Sequence, residues 1–305
     1  MAAKDTSRQT QGVLLPPEVS SEIWAKAIEE SAAMQLATKI PLLGQGKEFQ
    51  TITGDPEASW VSETEKIATG KHTFGKKSMK GYKLGVIEPF SLEFKRDKAA
   101  LYDACVNRLP KAIGVKFDKT VFGVEGSAPG ESFDTLAGAT AVDIETDPWL
   151  GLVTADAAIS AADGMLDGWA LAPAAKTSLL TAKDGMGRPL FVNSMVSDNS
   201  VPALMGHAAH VKKGIYKAAV PATSSADGVP AQLGFAGEWA SAFYGIVEGV
   251  RISITEDATI TIDGQPFNLW EHDMFAVKVM FEAGFIVKDI ARFAKLVGKT
   301  PKQTA

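Results

Sequence analysis

The chain has 305 residues, of which 46% are hydrophobic, and a formal net charge of −5 at pH 7; this composition supports a sizeable core and excludes disordered and fibrous proteins. The only cysteine, Cys105, rules out an intrachain disulfide and a cysteine-based zinc cluster, and we expect a small buried residue in a reducing compartment. The negative charge argues against dedicated nucleic-acid binding, and the longest apolar stretch is interrupted by Lys278 and Glu282, so no segment suits a membrane helix.

The N-terminal segment is predicted to be a polar arm followed by a helix. Residues 1–15 lack the apolar core of a secretory signal, which predicts synthesis and residence in the cytosol. Pro16-Pro17 opens a stretch in which Val19, Ile23 and Ala27 recur at helical spacing. Glycines from Gly44 onward end this pattern.

Residues 58–89 are the most distinctive stretch, because they are too polar for a core and too patterned for a loop. The lysines of this stretch are Lys66, Lys71, Lys76, Lys77, Lys80 and Lys83, and aromatic residues among them are Phe74 and Tyr82. We predict a two-stranded ribbon. An isolated ribbon has no second layer against which to bury a face, so we expect a neighbouring subunit to supply that layer.

A strand is predicted at 83–94, and a long helix follows it. Apolar residues recur every four positions from Leu101 to Phe117, which predicts a helix with one apolar stripe. Pro110 lies within the stripe and is expected to kink the helix or to split it. From Trp149 to Val247, alanine-rich helices alternate with short strands, which indicates a separate α/β unit.

The C-terminal part of the chain is predicted to be rich in strands. Val250, Ile252 and Ile254 alternate with polar residues, and a second short alternation ends at the turn Asp263-Gly264. Residues 275–288 alternate without interruption, over a length far above the usual five to six or so residues of a strand. We expect this strand to span an elongated subdomain and to pack on the long helix.

The side chains that could act in catalysis or bind a metal do not form a recognisable catalytic site. His207 and His210 have an i, i+3 spacing that metal ligands use, but no third ligand is near them in sequence. Glu271-His272-Asp273 raises the alternative of a hydrolase, although adjacent side chains point in different directions and cannot address one substrate atom. Nucleotide-binding, nucleophile-elbow and zinc-protease motifs do not occur. We predict no enzyme activity, no catalytic or metal-binding residue and no cofactor.

The order and spacing of several segments are informative together. They are VLLPPEVSSEIW, ASWVSETEKIATGKHTFGKKSMKGYKLGVIEPFS, FGVEG, VPALMG and VRISITEDA with NLWEHDMFAVKVMFEAGFIVKD. From about Val13 onward the chain resembles the major capsid proteins of tailed double-stranded DNA phages, which have the Hong Kong 97-type fold. The resemblance implies an α+β fold: an N-terminal arm (1–54), an extended β-ribbon loop (55–90), a peripheral domain with a long spine helix and a long-stranded sheet (91–144 and 248–305), and an axial α/β domain (145–247).

The resemblance also implies a function and partners. The chain would be a structural subunit of an icosahedral virion, assembled in the host cytoplasm into pentamers and hexamers that enclose double-stranded DNA without sequence-specific binding. Family members often carry an N-terminal scaffolding extension that is cleaved, so either this chain is the mature form or scaffolding comes from a separate protein; because Met1 is interpreted as a true start, we expect the separate protein. The resemblance also implies a portal and a maturation protease or decoration proteins. The alternative within the same fold is an encapsulin-like nanocompartment shell that encloses a cargo enzyme.

The expected subunit contacts lie in two regions. In the extended loop they are Lys66, Lys71, Phe74, Lys76, Lys77, Lys80, Tyr82 and Lys83, and in the axial loops they are Asp198, Asn199, Asp227 and Gly228. Some relatives link a ribbon lysine covalently to an asparagine at the start of the last peripheral strand, with help from a nearby glutamate. Here Glu271-His272-Asp273 stands at the strand entry and Met280 at or near the glutamate position, while Asn268 precedes the strand. We therefore expect no covalent cross-link.

Overall fold

The computed structural model describes residues 30–54, 60–61, 66, 69–97, 108–125, 127–183, 186, 188, 203–222, 227–262 and 264–300. Some predictions concern residues outside these ranges. They are the helix after Pro16-Pro17 up to residue 29, the first half of the stripe from Leu101, the burial of Cys105, and the axial-loop contacts Asp198 and Asn199.

Within the described ranges the helices are short or of medium length. They are α1 (Ala32–Leu36), α2 (Leu92–Asp97), α3 (Leu109–Val121), α4 (Pro148–Ala161) and α5 (Pro173–Thr181). Side chains cap three of them: Ser31 Oγ accepts a hydrogen bond from Met34 N, Ser91 Oγ accepts one from Phe94 N, and Asp147 Oδ1 accepts one from Leu150 N. None of the helices in these ranges is long and apolar enough to cross a membrane.

Strands form two larger sheets and two hairpins. The strands are β1 (Thr38–Pro41), β2 (Lys47–Gly54), β3 (Thr73–Met79), β4 (Tyr82–Ser91), β5 (Thr140–Asp143), β6 (Gly168–Leu171), β7 (Ala203–Leu204), β8 (His207–Val211), β9 (Gln232–Gly237), β10 (Ala242–Thr255), β11 (Thr259–Ile262), β12 (Gln265–Asn268), β13 (Met274–Val287) and β14 (Phe293–Val297). The α+β prediction is confirmed. β11 and β12 pair across the predicted turn, where Gly264 has a φ of +80°, a conformation that glycine adopts without steric cost.

A four-stranded sheet in the order β1-β10-β13-β4 contains the longest strands of the described structure. The predicted long strand is confirmed, because β13 has 14 residues and pairs antiparallel with the equally long β10. The apolar residues that alternate along β13, from Phe275 to Val287, are buried in one core. Alternation of side chains across a sheet explains this burial, because one face of β13 then consists of apolar residues throughout.

Helix α3 packs on this buried face. The ring of Phe117 lies edge-on to the rings of Phe281 and Phe285, with centroid distances of 6.4 and 6.5 Å, an arrangement favoured by aromatic quadrupoles. The prediction that the long strand packs on the helix is therefore confirmed. α3 begins at Leu109 and has Pro110 in its first turn, where the missing N–H of proline would have had no helical acceptor.

A six-stranded sheet in the order β5-β14-β9-β6-β8-β7 forms the second part of the fold. Its two faces contribute to different cores: Leu171 and Ala236 contact the cluster under α4 and α5, whereas Ala170 and Phe235 belong to the core that contains α3 and β13. The sheet is therefore covered by α4 and α5 on one side, and its other side faces the core that contains α3 and β13.

The predicted domain boundaries divide this sheet. Its strands β5 and β14 come from residues 140–143 and 293–297, which the prediction assigned to the peripheral domain, and β10 already begins at Ala242. The reason is physical: these boundaries follow from the resemblance of consecutive segments, which contains no information about hydrogen bonds between strands that are distant in sequence.

Candidate subunit interface

The ribbon consists of β2 and β3, which pair antiparallel over residues 47–54 and 73–79. It therefore begins within the segment predicted to be the arm. β4, which lies in the predicted ribbon loop, is an edge strand of the four-stranded sheet, and Tyr82, Leu84 and Val86 pack against the core. The apolar alternation at these three positions is the sequence signal that assigns β4 to a sheet with a buried face.

The root of the ribbon is packed tightly against the four-stranded sheet. Met79 at the end of β3 is fully buried and forms a small cluster with Leu42 and Ile286. Gly245 leaves room for this approach, because a Cβ atom there would lie 2.9 Å from Leu42 Cβ and 2.6 Å from Met79 Cε, and both residues would have to shift. The direction in which the ribbon leaves the sheet is thus determined by close packing.

Lys77 adds a polar contact at the same root. Its Nζ lies 3.1 Å from Asp134 Oδ2 and donates a 2.8 Å hydrogen bond to the carbonyl oxygen of Val287. Asp134 Oδ2 also accepts a hydrogen bond from Val287 N at 3.1 Å. Lys77, which was predicted to contact a neighbouring subunit, is bound inside its own subunit. Sequence reasoning missed Asp134, because no local pattern relates two residues 57 positions apart.

The other predicted lysines of this region have exposed side chains. These ribbon lysines are Lys66, Lys71, Lys76, Lys80 and Lys83. Lys76 lies on β3, next to Lys77 in the chain, so the two side chains point to opposite faces of the ribbon. Lys83 lies on β4 and is in register with Glu282 of β13. The exposed cations therefore extend from the ribbon to the adjacent edge strand.

Tyr82 and Phe74 are the two aromatic residues predicted at the interface, and the structure describes the side chain of Tyr82 only. Tyr82 is partly buried; its ring lies edge-on to Phe133 at 6.1 Å, and its hydroxyl oxygen accepts a 3.3 Å hydrogen bond from Ser132 N. It thus contributes to the core of its own subunit. Phe74 lies on β3, but its side chain is outside the described part of the structure.

Asp227 and Gly228 lie beside a short antiparallel bridge that extends from the six-stranded sheet. Val220 and Val229 exchange two backbone hydrogen bonds of 2.9 Å, and Asp227 is exposed. These positions are accessible for contact with another chain. Asp198 and Asn199, the other predicted axial contacts, lie outside the described ranges.

The candidate metal and catalytic residues are dispersed. His207 and His210 lie on strand β8, where side chains three residues apart point to opposite faces. His272 stacks on Phe267 with a centroid distance of 4.0 Å, and its Nδ1 lies 2.8 Å from the carbonyl oxygen of Asn268. Asp273 has a left-handed conformation at the end of a short 3₁₀ turn. Among the described residues there is no group of three or more potential metal-ligating side chains.

The most strongly perturbed carboxyl group in this part of the chain is Asp118 on helix α3. It is fully buried and accepts hydrogen bonds from Ser31 Oγ at 2.6 Å, Ala32 N at 2.8 Å and Ala33 N at 3.2 Å. Burial, which penalises the charged form, raises the pKa of Asp118 to about 7. Through these hydrogen bonds Asp118 holds the start of α1 against α3.

Comparison with known proteins identifies related chains. The model of the phage capsid family matches residues 11–298. The probable major capsid protein gp17 of Mycobacterium phage L5 is 27% identical over 297 residues, which cover 92% of this chain and 88% of that protein.

Solved structures have the same fold. A chain from Mycobacterium phage Ogopogo is similar with a TM-score of 0.75 at 17% identity, covering 88% of this chain and 92% of that chain. A chain from the capsid of an empty GTA particle computed with C5 symmetry has a TM-score of 0.60 at 14% identity, covering 98% of this chain and 96% of that chain.

Proposed function

Since this chain belongs to the phage capsid family, whose members are structural shell proteins rather than enzymes, we propose that it is the major subunit of the icosahedral head of a tailed double-stranded DNA phage. The match spans 88% of the length of the phage L5 relative, and 92% and 96% of the lengths of the two solved chains. Similarity over most of the chain supports the role of a shell subunit rather than that of an accessory domain.

The observation that carries the proposal is the β2–β3 ribbon. It is anchored at its root by Met79 and Lys77 and consists of only two strands. A two-stranded sheet needs a second layer for stability, and a neighbouring subunit provides that layer in a shell. The ribbon lysines would then contact acidic surface of this neighbour, which steers association and depends on ionic strength.

Closed rings of subunits follow from the same proposal. One fold neighbour comes from a capsid computed with C5 symmetry. For the present chain we propose both pentamers and hexamers, with contacts near the axes through the loops that contain Asp198, Asn199, Asp227 and Gly228. Repetition of modest contacts by closed symmetry makes such a ring stable even when each contact is small.

The remaining partners are proposed on the same basis. The shell would enclose double-stranded DNA without reading its sequence, which agrees with a net charge of −5. A separate scaffolding protein, a portal, and a maturation protease or decoration proteins would act with it during assembly in the host cytoplasm. None of the relatives described above is named as a nanocompartment protein, so the encapsulin-like alternative has no specific support.

We propose that the subunits are held together without covalent cross-links. The side chain of Asn268, the asparagine nearest to the start of β13, is engaged locally: Nδ2 donates to Glu271 Oε1 at 2.9 Å and Oδ1 accepts from Trp270 N at 3.2 Å. An ionised carboxyl group such as that of Asp273 resists attack by an amine and offers no ammonia as a leaving group.

Electron microscopy of the purified chain under assembly conditions tests the function. Capsomer rings or closed shells are the expected result, and a chain that stays monomeric at all salt concentrations would contradict it. Mass spectrometry of particles from the native source then distinguishes a virus head, which contains a portal protein and DNA, from a nanocompartment, which contains a cargo enzyme.

A further inference from the structure

Helix α4 exposes an apolar face to solvent. Trp149, Leu150 and Val153 are 50%, 60% and 39% exposed, and their spacing places them on one side of the helix. The opposite side packs on the six-stranded sheet through Leu152 and Ile159, which are fully buried. The exposed apolar side chains therefore do not belong to the core of the subunit.

The composition of α4 is unusual for a helix on a protein surface. Asp156 is the only charged residue among its 14 residues, whereas the solvent-facing side of a surface helix is normally polar or charged. Contiguous exposed apolar surface on a folded protein marks an interaction site.

A second apolar surface lies on a different side of the same sheet. Tyr216, Val220 and Val229 are 41%, 51% and 51% exposed. The segment that contains them follows Ile215, which is buried together with Phe235 in the core that contains α3 and β13. It therefore starts at the sheet face opposite to α4, and the bridge between Val220 and Val229 holds two of the side chains near each other.

We propose that the α4 face (Trp149, Leu150 and Val153) of one copy packs against the bridge surface (Tyr216, Val220 and Val229) of the next copy in a closed ring. This inference rests on the proposed shell function and names the surfaces through which one capsomer is built. It also places the exposed Asp227 beside the contact.

A second copy of this chain is the occupant that accounts for both surfaces. One foreign partner would cover one of them and leave the other in water. A head-to-tail contact between identical copies covers both surfaces with a single type of interface. Two different surfaces joined in this way generate a ring when the rotation between copies closes, whereas a surface that meets its own copy generates only dimers. The six residues that define the two surfaces are all uncharged, as expected for the core of an interface.

Engineered disulfides distinguish these geometries. Chains with one cysteine in each surface, pairing Leu150→Cys or Val153→Cys with Val220→Cys or Val229→Cys, are assembled, oxidised and run on a non-reducing denaturing gel. At least one of the four pairs should give a ladder of linked multimers that reductant collapses, while each single variant and the unaltered chain, which has only Cys105, should stay monomeric on the gel.

Two results of this experiment would overturn the inference. Linked dimers from Leu150→Cys or Val153→Cys alone would show that α4 meets its own copy. Assembled particles without linkage in all four pairs would place the contact elsewhere. If the unaltered chain forms no rings or shells, the proposed function itself fails, so the two failures are distinguishable.

A charge substitution gives an independent measurement. Leu150→Asp should fold, as judged by circular dichroism, and lower the fraction of subunits in rings at least tenfold, because it places an unpaired charge within the interface. Met165→Asp is the matched control, since Met165 is 76% exposed and lies in neither surface. Equal assembly of both variants would contradict the inference.

Discussion

The buried carboxyl group of Asp118 should make the unassembled subunit less stable as the pH rises from about 4 to about 7. Its pKa is about 7 in the folded chain, against an ordinary value of 3.8. Between these two values the folded chain retains a proton that the unfolded chain has lost, so the free energy of unfolding falls with increasing pH. The contribution is fully present below the unfolded pKa and is lost as the pH passes the folded one.

The size of the effect follows from the shift. About three pKa units correspond to about 4 kcal/mol of differential stability between the two protonation states. The largest cause of the shift is desolvation; the hydrogen bonds from Ser31, Ala32 and Ala33 act in the opposite direction because they stabilise the charged form. The charge of Lys212 also lowers the pKa. The pKa is raised nevertheless, because the effect of burial is larger than the combined effect of the hydrogen bonds and Lys212.

Denaturant unfolding at several pH values between 4 and 8 measures this contribution. Asp118→Asn cannot titrate, and its amide nitrogen cannot accept the hydrogen bond that Asp118 Oδ2 receives from Ala32 N. The variant should be about 1–3 kcal/mol less stable than the unaltered chain at low pH, and this deficit should shrink or reverse toward pH 8. Other groups cancel in the difference between the two chains.

A second variant tests the sign. Ser31→Ala removes a donor that favours the charged carboxylate, so the pKa of Asp118 should rise further and the loss of stability should extend to higher pH. Parallel stability curves for the unaltered chain and Asp118→Asn between pH 4 and 8 would refute the reasoning, because they would mean that Asp118 has the same proton affinity in both states.

Three further predictions concern assembly and the ribbon. In a double-mutant cycle with Lys77→Met and Asp134→Asn, the coupling energy should be about 0.2–1 kcal/mol, because both side chains are partly exposed; zero coupling would mean that the observed ion pair does not anchor the ribbon. Lys76→Glu should leave the unfolding transition unchanged yet reduce shell formation in electron micrographs, most strongly at low salt, and normal shells would remove Lys76 from the interface. Boiling particles in detergent should release a single band near 32.3 kDa, whereas a ladder would reveal a covalent link between subunits.

The features that could be predicted from the sequence are those that depend on local periodicity. The long strand β13 follows from strict alternation between Phe275 and Val287. The expectation that Pro110 kinks or splits the helix agrees with the start of α3 at Leu109. The strands of the ribbon could not be assigned as well, because 47–54 contains few apolar residues and its pairing with β3 is non-local. The Lys77–Asp134 pair and the cap of α1 by Asp118 both join distant segments, and no short-range pattern encodes them.

The contacts that sequence analysis missed have one consequence for assembly. Lys77, Met79 and the glycine at 245 fix the root of the ribbon within a single subunit, before a neighbour is present. A segment that already has its bound direction loses less conformational entropy when it docks. In the proposed shell the two lysines have complementary roles: Lys77 orients the ribbon within its own subunit, and Lys76, on the opposite face of β3, would recognise the neighbour. A substitution at Lys77 should accordingly disturb the orientation of the ribbon, whereas a substitution at Lys76 should remove charge complementarity with the neighbour. Only the effect of the Lys76 substitution should be relieved by a change in salt concentration.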